Sequence, residues 1–249
     1  MDVEVKKCKI VEKYMISQDT IFIKVSSEEF LLNNEVSFFV YIYNDSQDFF
    51  RPYTPVSWKH NEINFVIKKY PRNGISEMIH NKNIGDEVNI SKSIPKLKYN
   101  ENKKNILMIS AGTGITPMLQ ILKKEQNIGK FTIIDCNRTF DDILINRNII
   151  NKDIKIFYIL NKEKNQCVLN KNLYFIKDDE ENIIKERLTK QLLEKILKEL
   201  PSRPEFVYVC GPPGFMKSIS GEKLPNLEQG ELTGMLKELG FTSDEVYKF

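Results

Sequence analysis

Three short stretches of this 249-residue chain combine residue types and spacings that can do chemistry. The first is Ser110-Ala111-Gly112-Thr113-Gly114-Ile115-Thr116-Pro117, after the apolar run Ile106-Leu107-Met108-Ile109 and opening a stretch of helical periodicity. Glycines there let the backbone approach a ligand closely. Thr116 reads as an N-cap and Pro117 as a first-turn proline. A helix opened in this way offers free N–H groups and a partial positive charge to a phosphate or pyrophosphate. The run is not G-x-G-x-x-G, because position 117 is Pro, and not a Walker A loop, because no Gly-Lys-Ser/Thr follows.

The second stretch, Val209-Cys210-Gly211-Pro212-Pro213-Gly214-Phe215-Met216, ends another apolar strand. Ligands of parallel sheets bind at the carboxyl ends of the strands, where both glycine-rich loops would lie. Cys210, as the last strand residue, can pack beside a bound ring. No histidine follows to activate its thiol, which argues against thiol catalysis. The third stretch is Arg51-Pro52-Tyr53-Thr54-Pro55. Arginine presents a planar fork suited to a pyrophosphate. Tyr53, two residues on, shares its strand face and can stack on a flat ring, and Thr54 adds a small donor and acceptor. Val66-Ile67-Lys68-Lys69-Tyr70 and then Asn73-Gly74-Ile75-Ser76, which opens a helix, lie nearby as a second candidate phosphate site. Singly, each stretch also reads as an ordinary tight turn or strand end.

The elements that must position these residues differ between the two halves. Ile21 to Val25, Val36 to Tyr43, Ile63 to Ile67 and Asp86 to Ile90 are β-branched and aromatic, with turn residues between them, which predicts a small antiparallel barrel or sandwich. Ile75 to Lys82 is its one predicted helix. From residue 105 the rhythm alternates. Strands are predicted at Ile106 to Ile109, Phe131 to Asp135, Ile154 to Leu160 and Phe206 to Cys210. Helices are predicted at Thr116 to Glu125, Asp141 to Asn148, Asn182 to Leu200 and Glu231 to Leu239, the last ended by Gly240. Alternation of this kind means a doubly wound parallel sheet. The expected division is a β-barrel over 1–99, a polar linker over 100–104 and an α/β domain over 105–249.

Composition narrows the chemistry. Lys+Arg is 37 against Asp+Glu 34, a formal charge of +3, too small to suggest a nucleic-acid binder. No apolar run reaches the roughly 18 residues of a membrane-crossing helix. His60 and His80 are the only histidines, which argues against a histidine metal centre or a bis-histidine haem, so any haem chemistry belongs to a partner. Cys8, Cys136, Cys167 and Cys210 match no metal spacing and suggest a reducing compartment.

Taken in order and spacing, Arg51 to Thr54, Gly112 to Met118 and Cys210 to Met216 resemble the ferredoxin–NADP reductase superfamily, and within it the NADH–cytochrome b5 reductases. The tail from Glu228 to Glu231 and from Val246 to Phe249 is similar to the end of that family, particularly its fungal mitochondrial form. The resemblance implies FAD in the barrel, NADH in the α/β domain, and cytochrome b5 or a similar haem protein as electron acceptor. It implies that Arg51 holds the FAD pyrophosphate with Pro52 beside it, that Tyr53 packs on the isoalloxazine, and that Thr54 bonds near flavin N5. Val66, Ile67, Lys68 and Tyr70 match the second flavin-contact strand, with Lys68 favouring the reduced flavin by its charge. Gly74, Ile75 and Ser76 match the phosphate-binding helix start. Gly112, Thr113, Gly114 and Pro117 shape the NADH loop, and Thr116 touches both rings. Cys210, Gly211, Pro212 and Pro213 flank the nicotinamide, and Met216, Phe249 and Asn137 complete the set. Thr54, Lys68 and Cys210 are the candidate catalytic residues. Two departures stand out. Asn73 replaces a family glycine, and Asn161 stands near a family Asp that bonds the adenine ribose; Asn still bonds hydroxyls but repels a 2′-phosphate less than Asp would, which weakens the family's preference for NADH over NADPH. Lys69, Arg72, Lys92, Lys96 and Lys98 are the candidate docking face for an acidic acceptor. The other readings are a different acceptor (quinone, ferric iron or another redox domain) and a non-catalytic dinucleotide sensor. The same resemblance suggests a monomer, in the cytoplasm or on a cytoplasm-facing organelle surface, the mitochondrial outer compartment included. Any membrane attachment would come from a segment outside this chain.

Overall fold

Period-two alternation of apolar and polar residues builds the first half. The computed structural model describes residues 4–28, 37–59, 61–70, 74–96, 103–124, 131–145, 154–162, 182–224 and 228–249. Its first strands are β1 (Val5–Ser17), β2 (Thr20–Ser26), β3 (Phe38–Tyr43), β4 (Phe50–Tyr53), β5 (Ser57–Lys59) and β6 (Glu62–Lys68). Helix α1 (Ile75–Asn81) follows, then β7 (Glu87–Ser91) and β8 (Ile94–Pro95). All pairings are antiparallel, in the order β4-β3-β7-β1-β2-β6-β5, with β8 on β3. Cys8, Ile10, Ile21, Ile23, Val25, Val40, Ile42, Ile63, Phe65, Ile67, Val88 and Ile90 turn inward and form one core with Ile75 and Ile79 of α1.

Strand β1 is long and central but escapes the sequence pattern. Lys7 and Lys9 face outward around only two buried residues, Cys8 and Ile10, and Lys6 on the inward side is half-buried and paired with Glu4, so no apolar run marks it. Its Lys13 ammonium donates to the carbonyls of Ile79 (3.4 Å), His80 (2.6 Å) and Lys82, which caps the C-terminus of α1 with a cation. His80 Nε2 lies 3.0 Å from the Ile67 carbonyl and ties the helix to β6.

The second half is a six-stranded parallel sheet. Its members are β9 (Ile106–Ala111), β10 (Phe131–Asn137), β11 (Lys155–Leu160), β12 (Ile183–Ile184), β13 (Phe206–Cys210) and β14 (Val246–Lys248), in the order β12-β11-β10-β9-β13-β14. Successive strands step outward from β9 to β12, and β13 then returns to the other side of β9. The direction reverses at β9, which places the topological switch point at its carboxyl end. The helices of this part of the chain are α2 (Thr116–Lys124), α3 (Lys190–Glu199), α4 (Pro213–Ile219) and α5 (Gly234–Glu238). One sheet face, with Leu107, Ile109, Ile134, Phe157, Ile159, Val207 and Val209, packs with Leu192, Leu193 and Ile196 of α3, Met216 and Ile219 of α4 and Leu236 of α5. The chain divides into two compact units, 1–99 with 119–124 and 100–118 with 125–249.

Three predicted helices differ. Thr116 is not an N-cap: a 3-10 turn, Gly112–Ile115, precedes it and Thr116 already has helical angles (φ −59°, ψ −42°). Helical structure therefore starts at Gly112, four residues earlier than the threonine suggested. The helix predicted at Asp141 to Asn148 is, within the described residues, a 3-10 turn at Phe140–Asp142. It is closed by a capping box between Thr139 and Asp142 and followed by extended backbone at Ile143. The remainder of that prediction lies outside the described residues. The helix predicted from Asn182 begins only at Lys190, because Thr189 caps Leu192 N–H at 3.2 Å and Ile183–Ile184 pair with β11 instead.

Candidate functional site

In the second unit, the two glycine-rich loops lock into each other. A Cβ added at Gly114 would lie 2.2 Å from the Cys210 carbonyl oxygen and 2.9 Å from the Gly211 nitrogen. A Cβ at Gly211 would meet the Phe215 ring at 2.5 Å and Ala111 Cβ at 3.1 Å. Glycine is needed at 114 because backbone passes against backbone, and at 211 because the Phe215 ring and the Ala111 methyl occupy the space of a side chain. Gly112 needs it for another reason, its φ of +54°. The Thr116 hydroxyl donates to the Thr113 carbonyl at 3.0 Å and pins the 3-10 turn shut. Pro117 is buried behind it, whereas Pro212 and Pro213 are exposed at the mouth of the second loop.

Register then assembles one polar patch. Ser110 is opposite Asp135 on one side and Cys210 on the other, and alternation puts Ser110, Asp135, Asn137, Tyr208 and Cys210 on the sheet face away from α3. Phe249 follows β14 on the far side of β13. Its N–H donates to the Val209 carbonyl at 2.9 Å and its ring lies 5.5 Å from Tyr208, tilted by 35°. The Gln229 amide brackets Lys248 by accepting from its N–H (2.7 Å) and donating to its carbonyl (3.0 Å). The buried Lys248 ammonium donates to the carbonyls of Glu222, Gly230 and Glu231. Both contacts hold Phe249 at the same level as Cys210.

Asp135 carries no motif of its own and reads in the sequence only as the end of a strand. It is 1% exposed, accepts from Ser110 Oγ at 2.7 Å and from Asn137 Nδ2 at 2.8 Å, and burial pushes its carboxyl up to about 6 despite those two bonds. The folded group holds its proton up to about pH 6, the unfolded one only to about 3.8. Stability from this group is therefore greatest below pH 3.8 and is lost as pH rises through 6. The charged form costs about 3 kcal/mol. Asp135→Asn removes that cost. The variant should gain about 3 kcal/mol on wild type between pH 4 and pH 8 in denaturant titrations. A pH-independent difference would contradict the buried charge.

In the first unit, Arg51 is exposed on β4. Its Nη1 donates to the Phe50 carbonyl at 2.8 Å and its guanidinium carbon lies 4.0 Å over the Phe49 ring. Pro52 is exposed beside it, and Thr54, just beyond the strand, is half-buried. Tyr53 is half-buried, and desolvation raises its phenol pKa strongly, with Arg51 lowering it and Tyr70 raising it, so the three groups are close enough to feel one another. Val66 and Lys68 lie on the outer side of β6, and Tyr70 is exposed beyond its end with its N–H donating to Ser76 Oγ at 3.1 Å. The Lys68 ammonium is 3.0 Å from Asp19, so its charge is shared with a carboxylate. A cavity of about 420 Å³ is lined by Asn44, Asp45, Ser46, Phe49, Gly74, Ile75 and Met78. Its size is in the range of small-molecule sites.

Some predicted site residues are not at a site. The Ile67 and Ile75 side chains are enclosed in the barrel core, so only their backbones could serve a ligand, and the Ile67 carbonyl already accepts from His80. Met216 is buried in the opposite-face core of the sheet, at helical spacing from Ile219, and packs rather than binds. Among the docking lysines, Lys69 is 3.8 Å from Glu77, Lys92 is paired with Glu4 and Lys96 lies over the Phe39 ring. Arg72, Lys98 and the Asn73 departure lie outside the described residues. Asn161 is exposed just past β11, with its N–H donating to the Asn137 carbonyl at 3.2 Å. Burial raises the Cys8 and Cys136 thiol pKa values, which suits packing groups. No metal-holding group of His, Cys, Asp or Glu occurs among the described residues.

Comparison with known proteins agrees with this geometry. A family model for the oxidoreductase FAD-binding domain matches residues 7–99, and one for the oxidoreductase NAD-binding domain matches 108–221. The chain is 36% identical over 218 residues to NADH-cytochrome b5 reductase 2 of Coccidioides immitis, covering 82% of this chain and 63% of that protein. The counterpart in Emericella nidulans is also 36% identical, over 217 residues, with the same coverage. The chain thus spans a little under two thirds of the length of these relatives. Among solved structures, the CS-b5R domains of human Ncb5or superpose with a TM-score of 0.74 at 21% identity, covering 100% of this chain and 70% of that one. The cytochrome b5 reductase domain of Ulva prolifera nitrate reductase gives 0.69 at 20% identity, covering 99% and 97%. An FAD-binding antiparallel half followed by an NAD-binding parallel half, with interlocked glycine loops at the switch point and both family models matched in order, means that the chain belongs to the oxidoreductases built from an FAD-binding and an NAD-binding domain.

Proposed function

We propose that this chain is the reductase core of an NADH–cytochrome b5 reductase. When bound, FAD supplies the chemistry that joins a two-electron hydride donor to a one-electron haem acceptor. In this reading the Gly74 end of α1, which lines the cavity, and Arg51, next but one to its Phe49, would hold the pyrophosphate, and Tyr53 and Thr54 would face the ring system. The second unit's own part is to present NADH. The interlocked Gly112–Ile115 and Cys210–Pro213 loops form a close-packed floor, and Cys210 and Phe249 stand level at the carboxyl end of the sheet. Orientation is the catalytic contribution of these residues. Lys68 brings positive charge tempered by Asp19. The observation that carries the reading is the backbone contact of Gly114 with Cys210, which joins two distant loops at the switch point of an NAD-binding sheet.

Stopped-flow reduction by NADH and NADPH in turn, followed by addition of cytochrome b5, tests it. The purified protein should carry flavin, bleach quickly with NADH and pass electrons to cytochrome b5. Arg51→Ala should weaken flavin retention by about 10- to 100-fold, the equivalent of a charge-assisted bond. A colourless protein that binds NADH would favour the dinucleotide-sensor reading. Bleaching without cytochrome b5 reduction would favour another acceptor.

A further inference from the structure

The polar patch on β9 and β10 is deeply buried and internally wired, and among its bonded groups one atom is left over. Asn137 is 6% exposed at the carboxyl end of β10. Its Nδ2 donates to Asp135 Oδ2 at 2.8 Å, and Asp135 is held from its other oxygen by Ser110 Oγ at 2.7 Å. That chain of bonds fixes which way round the Asn137 amide sits: nitrogen toward Asp135, oxygen away from it. The Asn137 Oδ1 has no hydrogen-bond donor among the described residues. A buried acceptor left unpaired is costly, and folded proteins keep few of them without a reason. Here a simple rotation of the amide would not relieve the cost. It would aim the oxygen at a carboxylate and leave the NH2 group unpaired instead.

The place of this atom suggests what satisfies it. Asn137 ends the second strand of the sheet, next to the strand that carries the glycine loop. In sheets that bind dinucleotides through G-x-G-x-x-G, a carboxylate about 20 residues beyond the glycine loop takes a ribose hydroxyl while the loop takes the phosphates; this loop departs from that pattern, and the acceptor at the corresponding strand end is an amide. Asn137 follows Gly114 at such a spacing. An amide oxygen can only accept, so the ligand must bring a donor, as a ribose hydroxyl does. We propose that Asn137 Oδ1 accepts a hydrogen bond from a ribose hydroxyl of the nicotinamide dinucleotide, and that Asp135, braced by Ser110, is the positioning residue that keeps that oxygen turned toward the ligand. This rests on the NADH reading above and extends it to three side chains with separate parts: one binds, two aim.

Steady-state kinetics with NADH on the flavin-loaded protein, together with thermal melts, test it. Asn137→Leu removes the unpaired acceptor and should raise KM for NADH about tenfold, with the rate at saturation changed less than about twofold. Its melting temperature should change little, because the loss of the buried unpaired Oδ1 offsets the loss of the Nδ2 bond to Asp135. Asp135→Leu frees the amide to turn and should raise KM to a similar degree. Asp135→Asn, which can still offer an oxygen to Asn137 Nδ2, should recover most of that loss. The double variant Asp135→Leu with Asn137→Leu should be no worse than either single one, since both act through one oxygen. Ser110→Ala, which loosens only the brace, should give a rise of about threefold, and it carries the positioning test if Asp135→Leu does not fold. A wild-type KM in Asn137→Leu overturns the binding role. Multiplied effects in the double variant, or a wild-type KM in both Asp135→Leu and Ser110→Ala, overturn the positioning role. If NADH does not reduce the wild-type protein at all, the NADH reading itself fails, whatever the variants do.

Discussion

Gly114→Ala is expected to slow flavin reduction by NADH at least about a hundredfold while the flavin stays bound. The added methyl would lie 2.2 Å from the Cys210 carbonyl oxygen and 2.6 Å from its carbon. Both are backbone atoms at the end of a central strand and cannot turn aside as a side chain would. The 3-10 turn at Gly112–Ile115 must therefore move off the Cys210–Gly211 peptide by about an ångström, a displacement that costs about two orders of magnitude in an oriented reaction. FAD belongs to the other unit, so its absorbance should persist, and the loss should fall on the step with NADH. Gly112→Ala is the contrast. Nothing lies within 4 Å of its added Cβ, so only the φ of +54° opposes the change. That costs about 1–2 kcal/mol of stability and should leave most of the hydride-transfer rate. Equal effects of the two substitutions would mean that the loop contact is not what matters.

Gln120→Leu should destabilise the first unit severely for a substitution that keeps side-chain volume. The glutamine is fully buried. Its Oε1 accepts from Phe38 N–H at 2.9 Å, and its Nε2 donates to the carbonyls of Phe38 (3.1 Å) and Pro55 (3.2 Å). Leucine removes all three bonds and leaves three buried backbone groups unpaired. At about 1 kcal/mol or somewhat more each, the loss is about 3–5 kcal/mol, readable as a lower midpoint in urea with an unchanged slope. Pro55 directly follows Thr54, so flavin retention should fall as well. Gln120→Glu is a sharper version. It keeps an acceptor for Phe38 N–H but turns a carboxylate toward two carbonyls, and it should be worse at pH 8 than at pH 5, where the acid can protonate. A melt that leaves Gln120→Leu within about 0.5 kcal/mol of wild type would show that these bonds are replaced.

The halves of the molecule, their order and most of their strands are legible from residue types alone. Two-residue alternation writes the antiparallel half, and continuous apolar runs with helices between them write the parallel one. Both are local signals, set by which face of a short element must leave water. The glycine-rich loops are legible too, because glycine, threonine and proline act through their own backbone. The misses are those in which a neighbour far away in sequence decides. Strand β1 hides behind lysines because its two buried residues are enough once β2 and β7 flank it. Asn182 to Thr189 loses its helix to a pairing with β11 and to the cap at Thr189. Met216 shares a motif with Cys210 yet faces the opposite core, since it lies at the end of the first turn of α4 and Cys210 ends a strand. That Gly114 rests on Cys210, that Gln120 ties Phe38 to Pro55, and that Asp135 leaves one oxygen of Asn137 free are matters of register and crossing. The kinds of groups available, and the elements that carry them, follow from residue types alone. Which of those groups meet follows from the fold, because contacts between residues tens of positions apart depend on how strands order themselves in a sheet.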